Sequence, residues 1–134
     1  MVYEKNDIDL NTLVENFTGA ADYPTDVSLA ELIERQKQPD FLVLLYETQY
    51  DFPVGKEIDG FMIAYQKNDC LWIHQVFHRP QADLQPGREA MRMAKQWARN
   101  RGLTSIMGET RRKEMAALTR HGFKEHAVVI KCEI

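Results

Sequence analysis

Cysteine, proline and glycine are all scarce in this 134-residue chain, and each scarcity removes a class of protein. The two cysteines, Cys70 and Cys132, stand far apart with no CxxC spacing. A disulfide framework needs more of them and a zinc site needs closely spaced ligand pairs, so both read as reduced packing residues and no metal is expected. Seven glycines and five prolines do not make a collagen-like or low-complexity chain, and 44% apolar with 10% aromatic residues argues against disorder. No apolar run approaches the ~20 residues that cross a bilayer, and the opening MVYEKND lacks the basic-then-apolar layout of a signal peptide. A cytoplasmic protein with no membrane partner is expected. No repeat or linker divides the sequence, so residues 1–134 are read as one domain around one ordinary core.

Charge of one sign is also missing locally. Residues 1–78 carry 5 Lys/Arg against 14 Asp/Glu, a net −9, whereas residues 79–134 carry 12 against 6, a net +6. A basic C-terminal half suits a docked anion such as a cofactor phosphate; the alternative is that the two halves attract each other on folding.

The elements follow from periodicity. Val2–Glu4 reads as a short strand, and Asp9 or Asn11 caps a helix whose Leu10, Leu13, Val14 and Phe17 share a face. Ser28 and Glu31 form a capping box, with Val27 and Leu32 as its staple, for a second helix that stops before Pro39. Phe41–Tyr46 is a continuous apolar run, as expected of a central strand covered on both faces. A polar excursion over 48–59 follows, then strands Gly60–Gln66 and Cys70–His78 around a Lys67-Asn68-Asp69 turn. From about Gly87, the residues Ala90, Met91, Ala94, Trp97 and Ala98 mark one stripe of an otherwise charged helix, with Gly102 placed to end it. Leu103–Met107 reads as a strand, Thr110–His121 as a helix, and Ala127–Ile134 as a last strand. The order is α+β, with a crossover embedded late.

The joint between Cys70–His78 and the Trp97 helix is the first place to look for chemistry. A helix N-terminus offers unpaired backbone N–H groups and a partial positive charge, and small residues let a phosphate approach. Gly87 and Ala90 provide the room there, and Arg79, Arg88 and Arg92 are candidate phosphate donors; many such loops bind nothing.

Three local patterns resemble the GNAT superfamily of acyl-CoA N-acyltransferases. HRP followed by Gln85-Pro-Gly-Arg-Glu-Ala90 resembles the family's strand end and pyrophosphate loop. AMRMAKQWARNRGLTSI resembles its amphipathic helix and following strand, and KEMAALTRHGFKE its penultimate helix ending in Gly-Phe. These cover residues 71–126. The resemblance implies a mixed central sheet flanked by about four helices, acetyl-CoA (coenzyme A) as cofactor, and transfer of an acetyl group to a small-molecule or protein amine by direct attack. It places the cofactor against Val76, Phe77, His78, Gln85, Gly87, Arg88, Glu89 and Ala90, in a V-shaped opening between the strand ending at His78 and the strand starting at Leu103.

Candidate catalytic groups are His74 and His78, two positions either side of Val76 and expected on one strand face, and Glu109 near the cleft mouth. For each the alternative is structural: a core histidine or a solvated carboxylate. The Glu47–Asp59 stretch, acidic and aromatic, suits recognition of a cationic amine or is an ordinary solvated hairpin. Trp72 and Trp97 read as core residues. Arg88 stands at a glycine of the family's loop, and Leu118 at its frequent tyrosine. Those departures keep open a second reading, a catalytically inactive GNAT-like binding or structural protein within a viral or multiprotein assembly. Nucleic acid is disfavoured by the pI of about 5.8 and by aromatics that do not interleave with the arginines. A homodimer is compatible with the sequence.

Overall fold

The computed structural model describes residues 1–15, 28–51, 54–78, 85–109, 124–126 and 129–134, with backbone alone at 85, 109, 124–126 and 129–131. Seven strands form one sheet in the order β1-β2-β3-β4-β5-β7-β6: β1 (Val2–Glu4), β2 (Phe41–Asp51), β3 (Val54–Lys67), β4 (Cys70–His78), β5 (Ser105–Glu109), β6 (Lys124–His126) and β7 (Val129–Glu133). Only β4 and β5 pair in parallel, joined by helix α3 (Gln85–Asn100); the other neighbours are antiparallel. Helices α1 (Leu10–Glu15) and α2 (Leu29–Gln36) lie between β1 and β2 in sequence. This is a mixed sheet of the expected kind. Three of the four expected helices are present, and the fourth, at 110–121, lies outside the described residues, as do Phe17, Val27 and Leu118.

The sheet has a core on each face, because its central strands are apolar at every position. On one side Leu42, Leu44, Met62, Ala64 and Leu71 meet the Ala90, Met91, Ala94, Trp97 and Ala98 stripe of α3. On the other Phe41, Val43, Leu45, Phe61, Ile63 and Tyr65 meet Leu10, Leu13 and Leu32 of α1 and α2. Trp72 and Trp97 both join cores, as their sequence positions suggest.

Local signals read from sequence act at atomic level. The Ser28 hydroxyl accepts from the Glu31 N–H at 3.2 Å, capping α2. Past the end of α3, Gly102 takes a left-handed φ of 71°. Its N–H donates to Arg99 O and the Leu103 N–H to Ala98 O, both at 3.0 Å, a paired closure of the last turn. Because Leu103 is spent on that cap, β5 starts at Ser105, two residues later than expected. Helix α3 in turn starts at Gln85, two residues earlier than the Gly87 start expected.

The 48–59 excursion is a correction. Residues Glu47–Asp51 and Val54–Ile58 extend β2 and β3 as a paired ribbon. They escape an apolar-run reading because most of the ribbon's described side chains, Gln49–Asp51 and Val54–Glu57, are exposed, so little demands apolar residues there. At the other end, Lys124–His126 and Val129–Glu133 form two short antiparallel strands where one, Ala127–Ile134, was expected.

Candidate functional site

Strand β4 runs beside β5 for four residues only: Cys70, Leu71, Trp72 and Ile73 pair with Ser105, Ile106, Met107 and Gly108. Beyond Ile73 the pairing stops. Strand β4 continues to His78 with β3 as its partner, while β5 continues to Glu109 with β7 as its partner. The backbone of β4 from His74 to His78 thus has no described strand on its β5 side, which makes this edge the candidate opening.

At the same point the register of β4 with β3 slips. Ile63 pairs with Gln75 but Ala64 with Ile73, so His74 is an extra residue in β4, a bulge that bends the strand. The bulge also shifts side-chain parity. His74 lies beside the Tyr65 ring, 6.3 Å between centroids, on the face of α1 and α2. His78 meets the Tyr46 ring edge-on at 5.6 Å, on the face of α3. The expectation that the two histidines share one face is thus wrong, by the one residue the bulge inserts.

His74 stands at the apex of the opening, and His78 four residues further out, about 13 Å along an extended strand. Burial lowers the His74 pKa, because a charged imidazole there would lose its hydration, so the ring is neutral at neutral pH. Behind it, the Arg35 guanidinium lies 4.0 Å from the Tyr65 ring centroid and donates to Gln66 O at 2.8 Å. Glu109 follows Gly108, the last residue of β5 paired to β4, so its backbone stands across the apex from His74.

The outer part of β4 alternates between the two faces. Val76 is 44% exposed and pairs with Met62, whereas Phe77 stacks on Phe61 at 6.1 Å. Gln75, which sequence reasoning passed over, is buried beside Ile63 directly after the bulge. Only the register slip singles it out. Gly60, opposite His78, must be glycine: a Cβ there would run into the Phe77 carbonyl oxygen and the Tyr46 ring.

At the head of α3, a Cβ on Gly87 would meet nothing within 4 Å among the described residues, so none of them crowds that side of the glycine. Pro86 has no N–H, which leaves Gln85, Gly87 and Arg88 as donors of the first turn. Ala90 is buried under the helix, so it supports this turn from the core side. The Arg92 guanidinium is engaged by Glu89, with Nε donating at 3.1 Å. Arg88 is exposed and, among the described residues, has no carboxylate partner. Arg88 rather than Arg92 is therefore the cation available to an anion, while Glu89 serves Arg92. Arg79 lies outside the described residues. Among the described residues no group of three or more His, Cys, Asp or Glu is placed to hold a metal, and no helix is long and apolar enough to cross a membrane.

No protein-family model and no curated protein matches the chain by sequence. Solved structures match it by shape. An IAA acetyltransferase from Bacillus cereus superposes with a TM-score of 0.70 at 11% identity, over 100% of this chain and 99% of that one. The ribosomal-protein-S18-alanine N-acetyltransferase of Escherichia coli gives 0.70 at 16% identity, over 100% and 93%. The PaiA N-acetyltransferase of Thermoplasma acidophilum, in complex with coenzyme A, gives 0.67 at 15% identity, over 100% and 99%.

Proposed function

We propose that this chain, which has the fold of the GNAT acetyltransferases, binds acetyl-CoA between β4 and β5 and passes the acetyl group to an amine. The observation that supports the reading is the end of β4–β5 pairing after Ile73 and Gly108, which leaves the outer half of β4 with no described strand on that side. The residues present fit such a cofactor. The free edge of β4 can pair with the amide groups of a pantetheine arm at Val76 and His78, while the Phe77 carbonyl faces Gly60 of β3. The side of Gly87 that no described residue crowds, the backbone N–H groups of Gln85, Gly87 and Arg88, and the exposed Arg88 side chain suit a pyrophosphate. Two solved structures with this fold, from Thermoplasma acidophilum and Neisseria gonorrhoeae, contain coenzyme A.

When bound, acetyl-CoA would supply a thioester carbonyl open to attack by a neutral amine, the C–S bond breaking as the C–N bond forms so that coenzyme A departs as a thiolate. The chain's own groups then have three tasks. Strand β4 orients, since backbone held along the opening fixes the approach of thioester and amine, and proximity is the largest part of such a reaction. The backbone N–H at Val76 polarises the carbonyl oxygen. His74, neutral and at the apex, takes the amine's proton on a ring nitrogen, with Glu109 across from it to attract a cationic acceptor or relay the proton through water. His78, on the other face against Tyr46, is a cofactor-side residue in this arrangement rather than a base. The acceptor class is an amine on a small molecule or a protein.

The test is thermal. A ligand that binds only the folded form stabilises by about 2.7 kcal/mol at a hundred times its Kd, so acetyl-CoA must raise the melting temperature by several degrees. An unchanged melt at millimolar acetyl-CoA rejects the reading and leaves a GNAT-fold binding or structural protein.

A further inference from the structure

The ribbon made by Thr48–Asp51 of β2 and Val54–Asp59 of β3 takes no part in the opening between β4 and β5. Strand β1 pairs with β2 only as far as Tyr46, and β4 with β3 only as far as Gly60. Beyond those residues the two strands pair with each other, and no described strand lies along either outer edge. Such an edge offers a row of backbone donors and acceptors, and proteins usually blunt it with lysine, proline or a cover. Here the one lysine, Lys56, leans back to Glu47 at 3.8 Å. Val54, at the tip, is 84% exposed.

Chemistry distinguishes the ribbon further. Register sets Thr48 and Tyr50 opposite Glu57 and Gly55 on the face continuous with Tyr46. On that face the Tyr50 hydroxyl donates to Asp59, 3.1 Å from each carboxylate oxygen. Asp59 is itself a bulge residue, left over where Tyr46 pairs with Gly60 and Glu47 with Ile58. Glu57 and Asp51 are exposed. The ribbon therefore sets three carboxylates, Asp51, Glu57 and Asp59, against one lysine, beside an aromatic ring and a strand edge with no described partner.

We infer that the outer edge of Val54–Ile58 accepts a lysine- or arginine-rich segment of a partner protein as an added strand, along the line that β4 follows up to His78. Backbone pairing supplies affinity, and alternate side chains of the segment lie over the Glu57 and Tyr50 face, where a cation meets both carboxylate and ring. Charge complementarity selects a basic segment over an acidic or apolar one. This docking stands apart from acyl transfer, because it needs neither the β4–β5 opening nor a cofactor.

An alternating lysine–threonine octapeptide and its glutamate–threonine counterpart, titrated into the full chain, test it. Amide NMR should show the lysine peptide shifting Val54–Ile58, amide exchange there should slow, and the glutamate peptide should do neither. Glu57→Lys, on an exposed residue outside the opening, should weaken binding about fivefold while circular dichroism and the melt stay unchanged. Equal binding of the two peptides, or binding without protection of Val54–Ile58, overturns the inference. A dimer in sedimentation that Glu57→Lys dissociates overturns it too, by giving the edge to a second copy of the chain.

Discussion

His74 couples burial to protonation. Its folded-state pKa lies below the ordinary histidine value because the ring is desolvated against Tyr65. In the unfolded chain the ring regains that ordinary value, about 6.5. As pH falls below about 6.5 the unfolded chain takes up a proton that the folded one refuses, so folding stability declines with falling pH until the folded pKa is reached. His74→Gln should flatten that part of the stability profile, measured by urea denaturation between neutral and mildly acidic pH. A slope identical to that of the parent chain contradicts the burial of His74. Acyl-transfer activity, if His74 is its base, falls along an acid limb below the usual histidine range for the same reason.

Among the elements, α3 joins the candidate phosphate site to the core. Its Trp97 stripe anchors it to the sheet, so the first turn stands still while Gly87 and Arg88 face outward. Arg88→Glu should weaken acetyl-CoA about tenfold, roughly 1.4 kcal/mol, with no change in the melt of the ligand-free chain, by isothermal titration and calorimetry. Unchanged affinity removes Arg88 from the phosphate site. Elements of this sort were legible in the sequence because one local rule governs each. Ser28 with Glu31 marks a cap, Lys67-Asn68-Asp69 a tight turn, and the Ala90-to-Ala98 stripe a buried helix face. The Glu47–Asp51 extension of β2 was not, since a strand exposed over Gln49–Asp51 carries no apolar signature and is set by its pairing with β3. The bulge at His74 escaped for a related reason. Nothing in CLWIHQVFH marks which residue will be surplus; that is settled by the pairing with β3. A one-residue error in parity then put His74 and His78 on one face when they lie on two.

Across the whole molecule, the division into an acidic N-terminal and a basic C-terminal half survives folding without mutual neutralisation by described side chains. Among the described residues the ion pairs are local to each half: Lys5 with Asp7, Lys37 with Glu34, Lys56 with Glu47 and Arg92 with Glu89. The shared core under α3 joins the halves instead, and within the sheet the backbone ladder between them is short. The C-terminal strands β5, β7 and β6 are attached to the preceding four through the rungs from Cys70–Ser105 to Ile73–Gly108. At the last rung a Cβ on Gly108 would sit 3.1 Å from Ile73 O. Such a seam resembles a zipper already part-way undone, and stress travels to its last closed tooth. Partial opening should start there and release the C-terminal strands together, so that in native-state hydrogen exchange the amides of β5 and β7 open at one shared free energy below that of β2 and β3.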